Sequence, residues 1–181
     1  MRDIMQKLKE YREIVMWLRE NVQAKVIETS MGAYAEILTH VMLSLEDKEV
    51  KFAKLINQKG YDLLATEEGK AVRYQVKSRM YKKNNRFKFD HIKNLELFDY
   101  LIIIVFDEEF KVKEAYRISS SYVKQICQKP KNTKDNKSKP QYTIRLTEKI
   151  RNLARNDEDN KENKIIEIKD KYANAMHEIE Q

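Results

Sequence analysis

Gly60-Tyr61-Asp62-Leu63-Leu64-Ala65-Thr66, the turn Glu67-Glu68-Gly69-Lys70, and Ala71-Val72-Arg73-Tyr74-Gln75-Val76-Lys77-Ser78 decide how this chain is read. Two β-prone runs flank a glycine-bearing turn, which predicts a β-hairpin. From Ala71 to Lys77, small or apolar residues alternate with polar ones at period two, so the two faces of that strand differ chemically. Gln75 and Lys77, two apart, project from one face. Asp62 stands thirteen residues before Gln75, and if the two runs are adjacent strands the pair lies side by side. A carboxylate, an amide oxygen and an ammonium then share one small volume.

Upstream of the hairpin the rhythm is helical. Ile4, Leu8, Tyr11, Val15, Leu18 and Val22 recur at spacings of four and three, one stripe of an amphipathic helix. A second helix is predicted with Thr29 or Ser30 as its cap and Gly32 in its first turn. Its apolar face holds Tyr34, Ile37, Leu38, Val41, Met42 and Leu45, and Glu36 lies on the same helix. Val50 to Ala53 reads as a short strand or a helix-to-sheet connection.

Downstream, a basic insertion is read over residues 79–93. Tyr100-Leu101-Ile102-Ile103-Ile104-Val105-Phe106 is apolar on both faces and is the best central strand. Phe110 to Ile118 is the next strand, after which Ser119, Ser120 or Ser121 can cap a short helix towards Gln128. Residues 129–140, rich in Lys, Asn and Pro, read as an exposed loop. Tyr142 to Leu146 is expected as the final strand, with Thr147 capping a short helix. Residues 157–181, with Ile165, Ile168, Tyr172, Ala175, Met176 and Ile179 at helical spacings, read as a terminal helix that packs on the body or on a second copy. The expected organisation is a single domain over 1–156 (core 29–128) plus this helix. Its expected class is α/β, mixed α+β, with a central sheet flanked by helices.

The cluster at the hairpin suits phosphodiester chemistry. Hard divalent cations take oxygen ligands, and Mg²⁺ commonly uses one or two carboxylates while keeping waters. Such a cation polarises a phosphate and lowers the pKa of an attacking water. A nearby Lys orients that water or offsets charge on the pentavalent phosphorus. Glu36 can face the same site and supply a further carboxylate or an outer contact.

With these residues in place, the sequence resembles the PD-(D/E)xK nuclease superfamily, which includes many restriction endonucleases. The resemblance runs over about 29–118: a helix with an acidic residue, a hairpin carrying Asp and then x-x-K, and an apolar strand. It implies an α-β-β-β-α-β core. It also implies Asp62 as principal metal ligand, Gln75 and the Val76 carbonyl as further ligands, Lys77 as catalytic lysine and Glu36 as helical acid. Mg²⁺, with Mn²⁺ as substitute, is the implied cofactor. Tyr61 replaces the motif's proline, and Gln75 replaces its second acid, removing one negative charge from the metal site.

The surroundings are consistent with a polyanionic partner. Lys and Arg outnumber Asp and Glu by 36 to 29, a net charge of +7, on a chain whose apolar content of 41% is enough for a core. After Lys77 come Arg79, Lys82, Lys83, Arg86, Lys88 and Lys93, with Tyr81, Phe87 and Phe89 interleaved. The functional reading is a DNA-tracking loop whose aromatics stack or wedge. The plainer reading is a solubilising loop whose aromatics pack on the core. His40, His91 and His177 lack metal-ligand spacing and are read as structural or surface residues. The single cysteine, Cys127, excludes an intramolecular disulfide and a Cys-rich zinc site. No apolar run approaches the ~20 residues that a bilayer requires, and the charged N-terminus shows no signal peptide. The expectation is a cytoplasmic, homodimeric, Mg²⁺-dependent DNA endonuclease of restriction type. Its rivals are an inactive nucleic-acid-binding module of the same fold and an accessory interaction subunit.

Overall fold

A computed structural model describes residues 2–21, 24–53, 60–81, 87–128, 141–155 and 165–180, with the side chains of Arg2, residues 24–28 and Glu180 left aside. Lys82, Lys83, Arg86 and the 129–140 segment lie outside the described residues. Helices α1 (Arg2–Asn21) and α2 (Ala24–Ser44) come first, then strands β1 (Glu49–Phe52), β2 (Leu63–Glu67) and β3 (Lys70–Met80). Strands β4 (Phe87–Ile92), β5 (Tyr100–Phe106) and β6 (Val112–Ser119) follow. The rest comprises α3 (Ser120–Ile126), β7 (Tyr142–Leu146), α4 (Glu148–Arg155), β8 (Ile165–Glu167) and α5 (Lys169–Glu180). The class is mixed α+β, with a central sheet in the order β1-β2-β3-β5-β6-β8 and a separate β4-β7 pair.

The β2–β3 hairpin forms as its sequence dictates. Glu68 and Gly69 have φ of 49° and 76°, the two left-handed residues that a tight two-residue turn needs. β5 is the central strand; it pairs in parallel with β3 and antiparallel with β6. Its side chains alternate between two cores. Ile102, Ile104 and Phe106 face the layer of α1, α2 and α5, while Leu101, Ile103 and Val105 face that of α3, α4 and the β4–β7 pair. All six are fully buried, each stabilising by roughly 1.5–3 kcal/mol relative to exposure.

Both later caps form: Ser119 accepts from the Tyr122 N–H, and Thr147 Oγ1 accepts from the Ile150 N–H at 3.4 Å. The cap expected at Thr29 or Ser30 does not. α2 starts at Ala24, so both residues and Gly32 lie inside it; Ala24, Lys25 and Glu28 are good helix formers that extend it upstream. Phe110 is not strand but a buried turn residue with φ of 59°. Nor is β7 the last strand. β8 pairs with β6, placing Ile165 in the sheet rather than on a terminal helix. Hydrophobic spacing alone does not separate three strand residues from a helical turn there. The α5 helix then buries Tyr172, Ala175 and Ile179 against the body, and the Tyr172 hydroxyl meets Thr39 Oγ1 at 2.7 Å.

Two differences bear on the site. The basic insertion is not all loop: β3 continues to Met80, and β4 begins at Phe87. Phe87 and Phe89 are buried in the second core, so neither is free to stack on a base. The β3-to-β5 crossover, which commonly carries a helix and does so in the core that the resemblance implies, carries β4 instead among the described residues.

Candidate active site

Gly60 sets the entry to β2. Its φ is +122°, and a Cβ there would come within 2.5 Å of the Leu97 side chain, so no other residue fits without displacement. Two residues on, Asp62 meets β3. Its N–H donates to Tyr74 O at 2.8 Å, its C=O accepts from Ala53 N–H at 3.0 Å, and Oδ2 accepts from Val76 N–H at 2.7 Å. The carboxylate thus takes the place of a ladder acceptor just where β2 begins. Extending the Leu63–Tyr74 register by one residue puts Asp62 opposite Gln75. Leu63, Tyr74 and Val76 face the α1–α2–α5 core, so Asp62, Gln75 and Lys77 belong to the other face of the pleat.

β2 pairs with β3 only as far as Tyr74, whereas β3 runs on to Met80 beside β5. Along this overhang lies a cleft of about 360 Å³, lined by Val76, Lys77, Ser78 and Arg79. Thr29, Gly32 and Glu36 of α2 form one wall, and Phe89, Asp90 and His91 of β4 the other. Ser78 Oγ reaches Met31 O at 3.5 Å, and Arg79 Nε donates to Lys88 O at 3.2 Å, tying β3 to both walls.

Glu36 and Lys77 line this cleft, whereas Asp62 and Gln75 are not among its lining residues; Glu36 nevertheless feels the charges of both Asp62 and Lys77. Burial raises the Glu36 carboxyl from 4.5 to about 7; the negative charge of Asp62 adds to the rise and Lys77 opposes it. Burial also raises Asp62, against the Val76 N–H and Lys77. Gln75 is 7% exposed, and its Oε1 is buried with no hydrogen-bond partner. A buried orphan acceptor costs about 1–3 kcal/mol, so it needs an explanation. Among the described residues no group of three or more His, Cys, Asp or Glu is gathered as for a metal. The oxygen-rich set of Glu36, Asp62, Gln75 and Val76 nevertheless fits a hard cation that uses two carboxylates at most.

Of the expected DNA contacts, Arg79 lines this cleft, while Lys88 is exposed and paired with Asp90 at 2.8 Å. Burial works against the Asp90 charge, but bonds from Lys88 and Thr143 outweigh it and hold the carboxyl below its usual range. His91, read from the sequence as a structural or surface residue, stands in the cleft wall. So does Gly32, whose expected role at a helix start is replaced by one at its middle. His40 is structural, stacked on Phe52 with ring centroids 4.7 Å apart.

Two consequences are measurable. Between pH 4.5 and 7 the folded chain binds more protons at Glu36 than the unfolded chain does, so stability falls as pH rises through about 7. In chelator, Glu36→Gln should remove that slope and stabilise the fold at pH 8 by on the order of 1 kcal/mol, discounting for the wetted part of the side chain. Urea titrations at pH 5, 7 and 8.5 check this; parallel curves for both proteins refute it. At Gly32 an added Cβ would meet nothing within 4 Å. Gly32→Ala should therefore stabilise α2 by about 0.5–1 kcal/mol, read as a rise in melting temperature.

No protein-family model matches the chain, and no curated protein matches it. Among solved structures it is similar to a bacterial homing endonuclease, I-Ssp6803I, at 18% sequence identity and a TM-score of 0.45, over 66% of this chain and 75% of that one.

Proposed function

We propose that this chain is a divalent-metal-dependent DNA endonuclease of restriction type. The reading is carried by Asp62, fixed on the Val76 N–H beside a Gln75 Oε1 that is buried and unpartnered. An amide oxygen in that condition beside a carboxylate is a donor waiting for a cation. Glu36, Asp62, Gln75 Oε1 and the Val76 carbonyl would hold Mg²⁺ or Mn²⁺, and the bound cation supplies charge neutralisation and an acidified water.

The chain's own groups do the rest. Lys77, on the face shared by Asp62 and Gln75, orients water or offsets charge developing on phosphorus. Burial and Asp62 raise the Glu36 carboxyl to about 7, so a cation held beside it would favour its charged form. Arg79 presents a guanidinium to the phosphate backbone from the cleft floor. Cutting both strands of a duplex requires two such sites or two visits, which favours a homodimer.

The test is nicking of supercoiled plasmid by the full chain with Mg²⁺, with Mn²⁺ and with chelator, beside filter retention of the same DNA. Metal-dependent nicking supports the reading, and cleavage that survives chelator refutes it. Retention without cleavage under either metal favours the inactive DNA-binding module, the role that the missing charge at Gln75 would fit.

A further inference from the structure

The β4 wall of the cleft holds a group that the proposed chemistry leaves unused. β4 loses register with β7 between Phe89 and Ile92, and His91 inside that break has φ of 59°. Left-handed backbone is uncommon for a residue other than glycine, and a bulge of this kind re-aims a side chain. His91 Nδ1 lies 2.6 Å from Gln141 Oε1. An amide oxygen only accepts, so Nδ1 carries the proton and donates. With Nδ1 on Gln141, Nε2 is the ring nitrogen left to meet a ligand.

Among the described residues, the groups sharing the cleft with His91 come from three elements. Lys77 and Arg79 come from β3, Thr29 and Glu36 from α2, and Asp90 from its own strand. Asp90 Oδ1 is engaged by Lys88 and accepts from Thr143 of β7. On the α2 side Gly32 leaves open space where a side chain would otherwise project. The cleft therefore has Gly32 on one wall, His91 on the other, and Lys77 and Arg79 on its floor.

We propose that His91 is a phosphate-contacting residue. Protonated on Nε2, it donates to a non-bridging oxygen of a DNA phosphodiester seated in the cleft. This rests on the nuclease reading above and adds to it a charge-assisted phosphate contact from the β4 wall. His91→Asn is the main variant, because asparagine tolerates left-handed backbone while lacking the imidazole.

Retention of a short duplex by the full chain is measured in chelator across a salt series, at pH 5.5 and at pH 8. At pH 5.5 the wild type should bind about tenfold tighter than His91→Asn, as one charge-assisted contact implies. Its log K against log salt should be steeper by about 0.9, the value of one phosphate contact. At pH 8 both differences should close. His91→Lys, charged at both pH values, should keep the steeper slope at pH 8, and it supplies the comparison if the Asn variant fails to fold.

If wild type retains DNA and His91→Asn matches it at pH 5.5, the inference is overturned alone. An equal deficit at both pH values also overturns it, since a merely structural role would not titrate. A His91→Lys variant lacking the steeper slope at pH 8 does the same. Wild type that retains no DNA at any salt overturns the nuclease reading, and this contact with it.

Discussion

Asp62→Asn and Lys77→Ala should each leave the chain folded and able to retain DNA while lowering plasmid nicking by about 100-fold or more, the scale for removing one preorganised electrostatic group. Asparagine keeps an oxygen that can accept from the Val76 N–H, which Asp62 Oδ2 now does at 2.7 Å. Its loss is the charge, and with it the strongest donor of the proposed cation site. Lys77 is half-buried at the cleft and removes little apolar burial when truncated, so stability should change little. The two variants also move Glu36 in opposite directions. Asp62 pushes that carboxyl up and Lys77 holds it down, so Asp62→Asn lowers its titration and Lys77→Ala raises it. Carboxyl titration by NMR in chelator reads both shifts without reference to activity. Full nicking by either variant would refute the mechanism. Unmoved Glu36 titration in both would refute the electrostatic coupling beneath it.

What the sequence made legible follows the strength of the local signal. The hairpin was readable because Gly69 and period-two alternation are short-range and chemically explicit, and β5 because seven consecutive apolar residues suit a strand buried on both faces. Asp62 beside Gln75 follows from the same hairpin register. The start of α2 was misread because Thr29 and Ser30 cap helices only where the preceding residues leave one, and Ala24 to Glu28 continue it. β8 was missed because three residues carry no periodicity, and its stability comes from pairing with β6, whose partner residues lie about 50 positions earlier in the chain. His91 was passed over for a similar reason. Its value to a site comes from a break in β4, a left-handed φ and a partner at Gln141, and no local pattern announces any of them. Phe87 and Phe89 show the converse: interleaving with Lys and Arg suggested base stacking, but strand alternation sends both inward.

That inward packing leads to the largest expected loss of stability. Arg151 of α4 is 6% exposed at its side chain and Glu114 of β6 is 12% exposed; Nε donates to Glu114 Oε2 at 2.7 Å. The Tyr116 hydroxyl donates to the same oxygen at 3.0 Å, and the guanidinium stands 5.7 Å from the centroid of the Phe87 ring. Arg151→Met keeps the apolar stem but strands a buried carboxylate, which should cost about 3 kcal/mol or more. Glu114→Gln with Arg151→Met removes both charges, and the pair should recover much of that loss, because what destabilises is the unpaired charge rather than the absence of the pair. Urea unfolding of the two variants and wild type checks this. A single variant within 1 kcal/mol of wild type would show that water reaches Glu114. Phe87 opens β4, the strand that carries Asp90 and His91, so the loss should not stop at stability. Loosening it frees the cleft wall, and Arg151→Met should weaken DNA retention at temperatures where the chain is still folded, whereas the double variant should restore both together.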